Sequence, residues 1–173
     1  MSEHTSNSQY LLLALCLFSS AAQADSQRDK FRGQCSLTIA GNRMLCAPDI
    51  VVSSDVSPGK PPLHLIMLIY QAGNRNKFML SIVSQSRKED KSHAEFYKIV
   101  GGAWRQENNA DPSKDTDFQD GSGACKVTYG AQDKMFLDCT TMIGGQPVIL
   151  KFEGNNIHDP EPLLRFKDVG EKL

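Results

Sequence analysis

Four cysteines fall into two copies of one written pattern. Gly33-Gln34-Cys35-Ser36-Leu37-Thr38-Ile39 aligns with Gly123-Ala124-Cys125-Lys126-Val127-Thr128-Tyr129 as Gly-x-Cys-x-aliphatic-Thr, and each copy is followed by a turn, a methionine and a second cysteine, Cys46 and Cys139. Thiols paired at this spacing form structural disulfides in an oxidising compartment. Metal binding or dithiol redox chemistry calls for Cys-x-x-Cys or a histidine close by, and the chain has neither.

The remaining groups capable of chemistry are scattered. His64, His93 and His158 form no His-x-x-x-His pair, and His64 interrupts an apolar run, where a hydrogen-bonded core histidine is the expected role. Ser122 lies in Gly121-Ser122-Gly123, which reads as a loop and not as the strand-to-helix elbow of a serine nucleophile. The acidic stretch Asp111, Asp115, Asp117, Asp120 invites a calcium reading. Counted from Asp115, however, Gln119 takes a ligand position, Asp120 the glycine position and Lys126 the final position, so the EF-hand pattern fails at each. The stretch reads as a solvated loop. Trp104 is expected to plug the core, as large aromatics usually do. No catalytic residue, metal site or cofactor is expected, and the sequence assigns no binding residue.

The elements that position these groups begin after a leader. The apolar run Leu11 to Phe18 precedes Ala22-Gln23-Ala24, an h-region and cleavage signature of a secretory signal peptide, although its n-region lacks Lys and Arg. The run is shorter than the roughly 20 residues that span a bilayer, and Leu15 ahead of Cys16 does not suit lipoprotein processing. Cleavage after Ala24 removes one Glu and no Lys or Arg, which brings the formal net charge from −1 to zero. A neutral chain without a long basic block has no electrostatic footprint for nucleic acid. Arg28, Lys30 and Arg32 read as a solvated leader to the first strand, and no membrane anchor is expected after cleavage.

Strand register selects among the three pairings that four cysteines allow. Cys125 opposite Cys139 places Lys126 against Asp138, Val127 against Leu137 and Tyr129 against Met135, so Cys, Val, Leu, Tyr and Met share one face. That hairpin centres on Gln132, with Gly130 available for a left-handed turn position. Cys35 opposite Cys46 sets Leu37 against Met44 about an Ala40-Gly41 turn; a Gly41-Asn42 turn is the competing register. The pairings Cys35–Cys46 and Cys125–Cys139 are therefore expected.

Between the hairpins, Leu63 to Tyr70 reads as a strand covered on both faces, with Lys77 to Ser84 as its partner across a Gly73-Asn74 turn. Asp49 to Ser53 is a short strand, Arg87 to Lys91 a solvated turn, and Glu95 to Val100 a strand or short helix. Gly101-Gly102 punctuates the chain, 107–123 is the longest loop, and Val148 to Phe152 forms the last strand. Many short strands with turn signals predict an all-β fold, an antiparallel sandwich or partly open barrel built from two similar cysteine-stapled β halves. The chain divides into a signal peptide, 1–24, and one all-β domain, 25–173, with sub-halves 33–106 and 121–154.

The signal peptide, the two Gly-x-Cys hairpins at Cys35, Cys46, Cys125 and Cys139, and the closing strand Leu150 to Gly154 resemble a loose group of small exported bacterial proteins of unknown function. The resemblance implies an envelope setting and a β fold, and carries over no catalytic residue. Export, a stapled sheet and the absence of catalytic motifs together predict a non-catalytic interaction protein of the periplasm or exterior: an inhibitor, immunity-type or accessory factor with an envelope or extracellular protein as its partner. The alternatives are a barrel for a small apolar ligand, walled by Leu63 to Tyr70 and Phe78 to Val83, and a cell-envelope hydrolase.

Overall fold

The computed structural model describes residues 25–56, 61–73, 76–107, 118–160 and 164. Residues 1–24, where a signal peptide is expected, and the acidic residues Asp111, Asp115 and Asp117 lie outside these. Eight strands follow in order: β1 (Asp25–Ile39), β2 (Asn42–Val56), β3 (Leu63–Ala72), β4 (Asn76–Glu89), β5 (Glu95–Gln106), β6 (Gln119–Tyr129), β7 (Lys134–Ile143) and β8 (Gln146–Asn156). Each pairs antiparallel with its sequence neighbours, and β8 returns to pair with β1. The protein is therefore an all-β, up-and-down barrel. Of the two architectures left open by the sequence the barrel is formed, and it is fully closed, which leaves no edge strand to recruit another chain.

Period-two alternation fills the barrel. Along β7, Met135, Leu137, Cys139, Thr141 and Ile143 are buried, while Phe136, Asp138, Thr140 and Met142 are exposed. Leu37, Leu68, Leu80, Leu150 and Ile143 meet inside with almost no exposure. Trp104, near the end of β5, packs partly buried against this core, as expected. β3 is covered only in part on its outer face: Ile66 and Leu68 face the interior, and on the opposite face Ile69 is inaccessible while Leu65 and Met67 are half-buried.

Both expected disulfides are present, Cys35–Cys46 with 5.8 Å between Cα atoms and Cys125–Cys139 with 4.0 Å. The second hairpin has the register read from the sequence, with Lys126 opposite Asp138 and Val127 opposite Leu137. In the first, Leu37 faces Met44 and Ile39 faces Asn42 about Ala40 and Gly41, both at positive φ, so the Gly41-Asn42 register is not used. β8 lies between the two stapled hairpins, paired with β7 on one side and β1 on the other.

Several local expectations are corrected. Arg28, Lys30 and Arg32 belong to β1 itself; Arg28 and Arg32 are exposed, but Lys30 is buried, 3.2 Å from Asp159 and 3.8 Å from Asp49, and Arg32 makes two hydrogen bonds to Asp49. Asp49 to Ser53 is the middle of the long strand β2. Glu95 to Val100 is strand, and Gly101-Gly102 does not end it: β5 continues to Gln106, because backbone and side chains crowd both glycines and only a residue without Cβ fits there. β6 begins at Gln119, so Asp120, Gly121 and Ser122 are in a strand and not in the acidic loop. In the β6–β7 turn the positive φ values fall on Gln132 and Asp133, while Gly130 is extended.

Candidate functional site: a polar cleft at one barrel mouth

One end of the barrel carries the β2–β3, β4–β5 and β6–β7 connections with the start of β1 and the end of β8. Here the inward-facing positions change from apolar to polar, and a cleft of about 480 Å³ opens. Asp29 enters from β1, Ser54 from β2, Arg87 from β4, Glu95 and Tyr97 from β5, Tyr129 from β6 and Asp133 from the turn after it. A smaller hollow of about 340 Å³ adjoins it, sharing Gln27, Ser54 and Arg87 and adding His64 and Pro62.

Two irregularities aim these side chains. Along β4 the inward positions run Phe78, Leu80, Ile82, Ser84, and a bulge between Ser84 and Ser86 then shifts the phase by one. The Ser84 hydroxyl lies 2.7 Å from the Ser86 carbonyl and 2.6 Å from that of Lys98, with one proton to donate between them, and accepts from the Ser86 N–H, so the displaced backbone is served locally. Beyond the bulge Arg87 pairs with Tyr97 and faces the mouth. Arg87 to Glu89 are exposed, as their charges suggest, but belong to β4, and the turn follows them. A second shift, between Lys98 and Gly101 of β5, lets Glu95, Tyr97 and Ile99 face inward below while Gly102 and Trp104 do so above.

Glu95 is the hub. It accepts a hydrogen bond from the Tyr97 hydroxyl at 2.5 Å and pairs with Arg87 Nη1 at 3.3 Å. Burial opposes the Arg87 charge, but Glu95 and Tyr97 outweigh it and hold its pKa above the ordinary value. Burial, reinforced by Glu95, holds the Tyr97 and Tyr129 hydroxyls well above the usual phenol range, so both remain donors. Tyr129 is half exposed at the rim, its ring tilted against Phe31, and it lines the cleft together with Glu95. Asp29 accepts from the Gln27 and Asn156 side-chain amides, and Asp133 pairs with His158 at 3.3 Å.

His64 lies beside this network. Its Nδ1 is 2.9 Å from the Ser54 hydroxyl and its ring packs edge-on against Tyr97. Burial, then Arg87, lowers its pKa below the ordinary histidine value, against a smaller pull from Glu95. It is thus a neutral hydrogen-bonded histidine at the top of the core.

The other residues singled out in the sequence are dispersed. His93 is in the β4–β5 turn against Glu89 at 2.6 Å, and Ser122 is exposed on β6 opposite Met142. Asp120 holds the Gly144 N–H through its backbone carbonyl. Among the described residues no set of three or more His, Cys, Asp or Glu side chains could hold a metal ion. Arg87, Glu95, Tyr97, Asp29 and Asp133 were missed by the sequence reading; the readable signal was Glu95-x-Tyr97-x-Ile99, polar and apolar residues on one face of a strand.

Comparison with family models, with curated proteins and with solved structures found no match. The two disulfides themselves mark an oxidising, non-cytoplasmic compartment. No helix among the described residues is long and apolar enough to cross a membrane.

Proposed function

We propose that the protein is a non-catalytic binding protein of the periplasm or cell exterior, released by cleavage after Ala24, that engages a partner protein through the barrel mouth. The observation that carries this reading is the mouth itself: a rigid, filled barrel ends in an open cleft with aromatic and Arg side chains, the residue types in which interface energy concentrates. An apolar interior with Lys126, Asp138 and Lys151 on the outer face favours a barrel surrounded by water, since lipid-facing charges at mid-strand are costly. The apolar-ligand alternative draws less support, because the inward side chains of Leu63 to Tyr70 and Phe78 to Val83 are packed against one another.

Affinity capture from an envelope extract tests the reading. Tyr129→Ala should abolish capture of the partner and His93→Ala should leave it intact; equal capture by both variants would remove the mouth from the function. Sequencing of exported protein should begin at Asp25.

One observation favours the hydrolase alternative, the Ser54–His64 contact of 2.9 Å beside an open hollow. Turnover of a peptide or ester substrate that vanishes in Ser54→Ala would establish it in place of the binding role.

A further inference from the structure

Resting on the reading of the mouth as a partner site, we infer that the cleft is built to receive a cationic side chain, an arginine presented on a loop of the partner protein. Three carboxylates, Asp29, Glu95 and Asp133, line the cleft against one guanidinium, Arg87, a formal net of −2 among the lining residues, with His158 set against the outer side of Asp133 at 3.3 Å. Arg87 is already committed, paired with Glu95 at 3.3 Å. The carboxylates of Asp29 and Asp133 reach the cleft from different elements, β1 and the β6–β7 turn, and so flank whatever enters.

The aromatic wall narrows the chemistry further. Tyr129 offers an exposed ring edge and face at the rim, with a hydroxyl that burial keeps protonated. A guanidinium stacks on such a ring while its N–H groups fork to carboxylates, a combination that an ammonium reproduces poorly. A bare metal ion is disfavoured because the three carboxylates do not converge on one point. The cleft, about 480 Å³ and open to solvent, has the size of a small-molecule pocket, room for one long side chain with its hydration and not for a folded element. Half-exposed Val56 lines the adjoining hollow beside Pro62, giving the polar hole an apolar border of the kind that a protein surface covers.

The test uses the oxidised full-length mature protein and four probes: a cyclic peptide displaying one arginine, its citrulline and glutamate counterparts, and free agmatine. Binding is followed through the NMR resonances of Tyr97, Tyr129 and the Arg87 side chain. The arginine peptide should shift these resonances and saturate, and should weaken as salt is raised. Citrulline and glutamate peptides should bind at least about tenfold more weakly, the worth of one charge-assisted hydrogen bond. The double variant Asp29→Asn with Asp133→Asn removes two of the three carboxylates, keeps an αL-tolerant residue at 133, and should lose the preference; if it does not fold, the salt titration of the wild type carries the same decision.

Equal binding of citrulline, a preference for glutamate, or an unchanged preference in the double variant overturns the inference. Agmatine binding as tightly as the peptide overturns the protein source in favour of a free cation. Failure here and failure of the partner-site reading are distinguishable. Capture that depends on Tyr129 without any arginine preference leaves the mouth as the partner site and removes the cation; arginine binding with capture indifferent to Tyr129 does the reverse.

Discussion

Gly33 of β1 and Gly154 of β8 face each other across the ladder that closes the barrel, and neither has room for a β-carbon. A Cβ on Gly154 would lie 2.5 Å from the Arg32 carbonyl oxygen and 2.6 Å from the Phe152 ring; one on Gly33 would lie 2.0 Å from the Glu153 carbonyl oxygen. The obstacles are largely backbone, which cannot move without disturbing the ladder. Gly154→Ala should therefore cost about 1–3 kcal/mol, the usual penalty for overpacking. Gly73→Ala, where a Cβ meets open space, should stay within about 0.5 kcal/mol of wild type. Denaturant midpoints decide it, and equal values for the two variants would remove the steric account.

The two disulfides differ in access. Cys125 and Cys139 have no exposure, whereas Cys35 and Cys46 are only partly buried at the margin of the core. Mild reductant applied to the native protein should therefore open Cys35–Cys46 first. Alkylation followed by peptide mass mapping should find label on Cys35 and Cys46 while Cys125 and Cys139 stay linked. Replacing Cys125 and Cys139 together by Ala should cost about 2–5 kcal/mol, as for native disulfides in small secreted domains.

Lys30 is a buried cation outside the barrel interior, bridging Asp49 and Asp159. Lys30→Met keeps the apolar stem and deletes the charge. Asp49 would retain its two hydrogen bonds from Arg32, so the loss should be about 1–3 kcal/mol, below the 3–5 typical of an orphaned buried charge. The same change should remove the contact that Asp159, which follows β8, makes with Lys30 at 3.2 Å. Thermal unfolding of Lys30→Met beside Arg32→Met measures which partner matters more.

His64 sets a pH dependence. Its folded pKa lies below the ordinary value of about 6.5, through burial first and then Arg87, with Ser54, Tyr97 and Glu95 completing its surroundings. Above that value the imidazole is neutral in both states and contributes no slope. As pH falls below it the unfolded chain takes up a proton that the folded protein resists, so stability should decline from about pH 6.5 downward. His64→Gln, which can still bond Ser54, should flatten this part of the profile in denaturation measured at a series of pH values.

The sequence carried the hairpins well and the mouth badly, for a physical reason. In the Cys125–Cys139 hairpin strict alternation and opposed charges agree on one register, and the structure has it. At Arg87 and Glu95 alternation is broken by bulges, and a bulge leaves little trace in composition: Ser84-Gln85-Ser86 does not announce that the next residue turns inward. Arg87 therefore read as part of a turn, although it lies in β4 and lines the cleft. Lys30 was misread for the related reason that its partner Asp159 is distant in sequence. Closure was equally invisible, since the pairing of β1 with β8 leaves no local signature.

The covalent links of this protein span 11 and 14 residues, whereas the ladder that completes the cylinder joins Cys35 to Phe152 and Leu37 to Leu150. Loop-closure entropy is thus relieved where it was already small and left in full where it is large. Oxidation can shape both hairpins in an otherwise open chain, but insertion of β8 between them remains a meeting of distant segments, the kind of step that makes all-β proteins fold in milliseconds to seconds. Until that meeting, β1 and β7 are free flanks, and a nascent chain delayed at this stage would offer them to its neighbours.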